Sequence, residues 1–163
     1  MRANLLISLL ALCASPSLAA ECGNKKMPAG ATPLTAAELT TLFSGKTWMW
    51  KDGGGAYFSP DGKFTGMSIE FKSVGTGTWT VSDDGKFCYQ ADWKQKDKSG
   101  PYGECYINVK AKGRYYNASQ QGNDKGKWWC SEASRKGIFG TLKDGDLVTA
   151  KLPDYIKKNG IPQ

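Results

Sequence analysis

The chain contains no histidine. That absence removes the commonest general base, the histidine-dependent serine and cysteine nucleophile systems and most metal sites. No Cys-x-x-Cys pair occurs, so the cysteines do not read as a zinc site. The glycine-rich stretches Gly53-Gly54-Gly55 and Gly75-Thr76-Gly77 lack the Gly-Lys-Ser/Thr ending of a phosphate loop and open no helix. No apolar run reaches the ~20 residues that span a bilayer, and no nucleic-acid-binding fingerprint is present. Neither metal nor other cofactor is expected.

What is present first concerns location. Arg2 precedes the apolar run Leu5 to Leu12, and Ser17-Leu18-Ala19-Ala20 supplies small residues for cleavage. Residues 1–20 therefore read as a signal peptide cut after Ala19 or Ala20, which predicts a soluble periplasmic or secreted protein. Leu12 before Cys13 and Glu21 before Cys22 do not suit lipidation. The remainder is one domain's worth of chain. It keeps Cys22, Cys88, Cys105 and Cys130, an even set that predicts two disulfides in an oxidising compartment. Four cysteines allow three pairings. The favoured one joins Cys88 with Cys105 across a polar loop and Cys22 with Cys130 at the N-terminus. The formal net charge is +7. The lysines are scattered, and the densest stretch, Lys94 to Lys98, is interrupted by Asp97. It reads as a solvated loop rather than a polyanion site.

Residues 21–33 form a polar arm, and 34–163 a single β-rich domain. Thr35-Ala36-Ala37-Glu38 is a capping box, Leu39, Leu42 and Phe43 make one apolar stripe, and Gly45 ends it. A helix is expected over 36–44, against a sheet edge or in a barrel end. From Lys46 the apolar period becomes two: Trp48 and Trp50; Met67, Ile69 and Phe71; Trp79 and Val81; Phe87, Tyr89, Ala91 and Trp93; Ile107 and Val109; Val148, Ala150 and Leu152. Asp61-Gly62, Asp84-Gly85 and Asp144-Gly145 are hairpin signals. Residues 117–127 read as a polar loop, and Asp154 to Gly160 as a short helical turn. The fold class is mainly β: a small antiparallel β-barrel or sandwich of about seven to eight strands with one short N-terminal helix.

The ordered motifs Trp48-Met49-Trp50, Gly55-Ala56-Tyr57-Phe58, Asp61-Gly62, Gly77-Thr78-Trp79, Cys88-Tyr89, Trp93 and Cys105 resemble those of small exported bacterial proteins grouped as domain of unknown function 995. The resemblance runs from about Leu34 to Leu152. It implies an exported bacterial protein and transfers no catalytic or ligand residue. Gly77-Thr78-Trp79 is also similar to a motif of lipocalin-like barrels, a likeness of architecture and not of topology.

Carboxylate-pair chemistry survives the loss of histidine, with Asp92, Glu104, Glu132 and Glu70 as candidates. A Cys88–Cys105 bridge would bring Asp92 and Glu104 close, as a glycan hydrolase needs. The aromatics are the stronger lead. Six tryptophans and seven tyrosines are present. Trp48, Trp50, Trp79 and Trp128 are expected in the core. Adjacent residues in a strand face opposite ways, so one of Trp128/Trp129 and one of Tyr115/Tyr116 should be exposed. Trp129, Tyr115, Tyr116 and Trp93 are the candidate ligand-binding residues. The expected role is a non-enzymatic binding domain for an envelope component, a small apolar ligand or a protein. The alternatives are an inhibitor or accessory protein of an envelope enzyme, and the hydrolase.

Overall fold

In the computed structural model, which describes residues 26–130 and 138–162, most of the period-two stretches become strands. These are β1 (Thr32–Pro33), β2 (Lys46–Met49), β3 (Gly55–Phe58), β4 (Lys63–Ser68), β5 (Ser73–Val81), β6 (Lys86–Lys94), β7 (Ser99–Ala111), β8 (Arg114–Ser119), β9 (Trp128–Cys130) and β10 (Leu142–Asp144). Helix α1 (Ala36–Phe43) precedes β2, and α2 (Leu152–Asn159) ends the described chain. Short 3₁₀ turns occupy Ile138–Thr141 and Thr149–Lys151. The expected signal peptide and Cys22 lie outside the described residues.

One antiparallel sheet runs in the order β10-β2-β3-β4-β5-β6-β7-β8-β9. β1 pairs with β7 just beyond the point where β6 ends. The sheet curls strongly. Trp48 on β2 and Tyr106 on β7 are five strand steps apart, roughly 24 Å in a flat sheet at ~4.8 Å per step. Their rings meet edge to face at 5.7 Å. Curling gives the sheet an inside, filled by Phe58, Phe64, Trp79, Phe87, Tyr89 and Tyr106. β9 and β10 stand at the two ends of the order, so the structure is a half-barrel and not the closed barrel or sandwich expected. It is loosely lipocalin-like in architecture. The strand count is also higher than seven to eight, because two- and three-residue strands carry no period of their own.

Helix α1 closes one end. Thr35 accepts a hydrogen bond from the Glu38 amide while the Glu38 carboxylate accepts from the Thr35 amide, completing the expected capping box. Asp83, in the β5–β6 turn, accepts from the Ala36 amide at 2.9 Å and fixes the helix start to the sheet. Leu39 and Phe43 are buried; the Phe43 ring stacks on Phe87 at 3.9 Å and meets Phe58 edge-on at 5.5 Å. Hydrogen bonding from Lys110 and then from the Thr35 amide lowers the Glu38 pKa from its ordinary 4.5 to about 2. A depressed folded value makes the carboxylate stabilising above pH 4.5, and that contribution disappears as pH falls toward 2. Thermal melts of Glu38→Gln across this window should therefore vary less with pH than those of the native chain; parallel curves would remove Glu38 from the acid response.

A second, smaller apolar cluster lies on the outer face of β7–β9, where Val109, Ala111, Tyr116, Ala118, Trp128 and Cys130 pack together under Ala31. Cys88 and Cys105 face each other across β6 and β7 and are disulfide-bonded, as expected. Cys130 is also disulfide-bonded; the expected Cys22–Cys130 pairing has its other end outside the described residues.

Several local expectations are corrected. Met67, Ile69 and Phe71 do not share a strand face: β4 stops at Ser68, and Ile69 to Lys72 turn into β5, leaving Ile69 and Phe71 exposed. Asp61-Gly62 and Asp84-Gly85 do make hairpins, with glycine φ of 81° and 80°. Asp144-Gly145 does not. Asp146 accepts from the Val148 and Thr149 amides and turns the chain into a 3₁₀ segment. Pro153, with its fixed φ, sits in the first turn of α2. Val148, Ala150 and Leu152 are therefore not a strand. Asp154 lies in the first turn of α2 without capping it, and Gly160 ends the helix at φ 63°. The polar loop begins after Ser119, because Asn117 and Ser119 are buried in β8.

Candidate functional site

The end of the half-barrel opposite α1 is open. Its floor is a cross-strand row: Gly66 pairs with Gly75, Gly75 with Trp93, and Trp93 with Gly100. The Trp93 indole lies flat over the missing side chains. A Cβ at Gly75 or at Gly66 would come within 2.6 Å of it. The two glycines thus form a shelf that lets the indole lie down inside the curl. Trp50 stands 6.1 Å from Trp93, and Phe64 meets it edge-on at 5.9 Å from below. Tyr89 stacks on Phe64 at 4.7 Å. Above them is a cup of about 570 Å³ lined by Trp50, Phe71, Tyr89, Trp93 and Tyr102, with Lys51, Asp52, Ser68, Glu70, Ser73 and Gln95 among them. That volume lies in the range of small-molecule sites. The Trp93 Nε1–H is buried and has no acceptor among the described residues. An unsatisfied buried donor costs about 1–3 kcal/mol.

The cup walls are held by polar contacts already spent. Asp52 accepts from the amides of Gly54 at 2.9 Å and Glu70 at 2.8 Å, and from the Ser68 hydroxyl at 3.3 Å. Burial pushes its pKa up, but these donors outweigh burial and hold the carboxyl below its ordinary value. Asp52 therefore ties the β2–β3 turn to the β4–β5 turn. Tyr155 on α2 donates to the Ser68 carbonyl at 2.9 Å and pins the helix beside the mouth. Behind the tyrosines, Glu104 accepts from Tyr106 Oη at 2.6 Å and from Ser119 Oγ. Burial first, and the Glu104 charge second, raise the phenol pKa values of Tyr89, Tyr102 and Tyr106. These phenols stay neutral and serve as walls and donors.

The chain matches, over residues 9–148, the model of the family described as Protein of unknown function (DUF995). It belongs to that family. No curated protein and no solved structure matches it. The residues that carry the DUF995 resemblance divide between two tasks. Trp79 fills the core and donates from Nε1 to the Ser59 carbonyl at 2.9 Å, tying its strand to the β3–β4 turn. Trp50, Tyr89 and Trp93 line the cup.

The four tyrosine and tryptophan candidates are not brought together in this DUF995 chain. Trp93 is in the cup. Trp129 faces the cleft between β9 and β2, near Trp48 and Lys143. Tyr115 lies beside Phe139, with ring centroids 5.7 Å apart. Tyr116 is fully buried in the outer cluster and cannot meet a ligand there. Sequence reasoning missed Trp50, Phe71, Tyr89 and Tyr102. The spacing of Gly66 and Gly75 against an aromatic partner was the available signal, since a glycine opposite a large ring marks a place where that ring lies down. The hydrolase pair fails on geometry. The Cys88–Cys105 bridge lies on the outer face, and Asp92 shares that face with Cys88, whereas Glu104, next to Cys105, points inward to Tyr106. Glu70 is exposed in the β4–β5 turn, and Glu132 lies outside the described residues. Among the described residues no group of three or more His, Cys, Asp or Glu is placed to hold a metal, and no helix is long and apolar enough to cross a membrane.

Proposed function

We propose that this protein is an exported, non-enzymatic binding protein that takes a small, largely apolar ligand in the open end of its half-barrel. The observation that carries the reading is the cup itself: five aromatic side chains, Trp50, Phe71, Tyr89, Trp93 and Tyr102, line one cavity. Pockets of this kind, apolar with a few placed polar groups, are where small ligands bind. Export is supported by the N-terminal leader pattern and by a disulfide that would not persist in a reducing cytosol.

The test is a titration with N-phenyl-1-naphthylamine, an uncharged aromatic probe, followed by probe emission and by tryptophan quenching. Trp93→Ala should weaken binding at least tenfold. Phe71→Ser, at a side chain 63% exposed, should weaken it several-fold with an unchanged melting temperature. Trp129→Ala should leave it unaltered. No binding by the native chain, or binding lost only in Trp129→Ala, would overturn the assignment to this cup.

A further inference from the structure

The cup does not end at its lip. Phe71 and Gln95 also line a second depression of about 510 Å³, continuous with the first. It carries Lys72 from the β4–β5 turn, Lys96 and Lys98 from the β6–β7 turn and Lys158 from α2, against a single acid, Asp97. None of these four lysines makes an ion pair among the described residues. Elsewhere Asp61, Asp84, Asp124 and Asp144 each sit beside a lysine, and Asp154 lies one helical turn before Lys158 on α2 without an ion pair among the described residues. The cup itself is lined by one lysine, Lys51, and two acids, Glu70 and Asp52, and the Asp52 carboxylate is occupied by amides. Four lysines against one acid thus line one side of the apolar opening. Three elements far apart in sequence supply it.

We infer that the ligand is a single-chain amphiphile with an anionic head, a carboxylate or a phosphate monoester. This rests on the binding role proposed above. The apolar chain lies in the aromatic cup and the head lies among Lys72, Lys96, Lys98 and Lys158. A bound anion relieves the mutual repulsion of the four ammonium groups, while each buried methylene adds the ordinary gain of leaving water. Two signatures distinguish such a ligand. Affinity rises about fourfold per added methylene until the cup is full. Affinity also falls with added salt, because the head pairs with exposed charge.

Calorimetric titration of the full exported chain below the micelle point tests this. The ligands are decanoate, decyl phosphate, decyltrimethylammonium, decyl maltoside and inorganic phosphate. Decanoate or decyl phosphate should bind at least tenfold more tightly than the cationic and neutral decyl compounds. The Lys96→Glu/Lys98→Glu double variant, confined to an exposed turn, should abolish that preference while leaving decyl maltoside binding and the circular dichroism melt unchanged. Equal affinity for neutral and anionic decyl compounds would overturn the anionic head and leave the cup reading standing. Inorganic phosphate binding as tightly as decyl phosphate would overturn the amphiphile. Failure of every decyl compound to bind would remove the cup reading as well.

Discussion

Gly77→Ala should destabilise the fold by about 3 kcal/mol, the upper end of overpacking costs. Gly77 sits between Phe64 on β4 and Ala91 on β6. A Cβ there would lie 1.9 Å from the Gln90 carbonyl oxygen and 2.6 Å from the Ala91 Cα. Both are backbone atoms, so no rotamer change can make room; β5 and β6 would have to separate. The glycine of the Gly-Thr-Trp motif is therefore a point where two strands approach too closely for any side chain. Urea unfolding measures the effect. Gly100→Ala is the control, since a Cβ at Gly100 meets nothing within 4 Å. It should move stability by no more than about 0.5 kcal/mol. Equal midpoints for the two variants would refute the close approach.

Phe43→Ala should cost about 3–5 kcal/mol, as removal of a buried phenyl ring does. Phe43 joins α1 to both halves of the interior, through its stack on Phe87, its edge contact with Phe58 and its tilted contact with Phe139. Its loss opens a void at the closed end of the half-barrel and loosens the helix that seals it. The comparison is Phe71→Ala, where the same ring is removed from an exposed turn and the change should stay within about 0.5 kcal/mol. The two variants should exchange roles in ligand titration. Phe43→Ala, refolded below its midpoint, keeps probe affinity, while the cup-lip variant loses it. A Phe43→Ala protein as stable as the native chain would mean that α1 is dispensable.

The sequence made some of this structure legible and hid the rest for physical reasons. Thr35 and Glu38 announced α1 because a capping box is a local bond pattern, complete within four residues. The alternation of Phe87, Tyr89, Ala91 and Trp93 announced β6 because its two faces meet different environments. Gly145 misled. It has a positive φ of 83°, as Gly62 and Gly85 do, but such a glycine marks a turn and does not set the conformation of the residues after it. Asp146 and Pro153 decided that. Val148, Ala150 and Leu152 misled because an alternation of five residues does not separate a strand from a short helical run. The candidate site was the least legible part. Trp50 reads as core until the sheet curls, and alternation alone does not say which of Tyr115 and Tyr116 is buried until the arm at Ala31 packs on the Tyr116 side. Lys72 and Lys158 belong to no charge run, and only the turn after β4 and the packing of Tyr155 on Ser68 carry them to the tip of the β6–β7 hairpin.

The covalent bridge between Cys88 and Cys105 has a consequence for recognition. It spans the two strands that carry Trp93 and Tyr102, on the side away from the cup. Sliding one of these strands by a single residue would turn every inward ring to the solvent side and every solvent-side group inward. The sulfur clasp forbids that slippage while touching nothing that a guest molecule would touch. Oxidation thus fixes which rings a visitor meets.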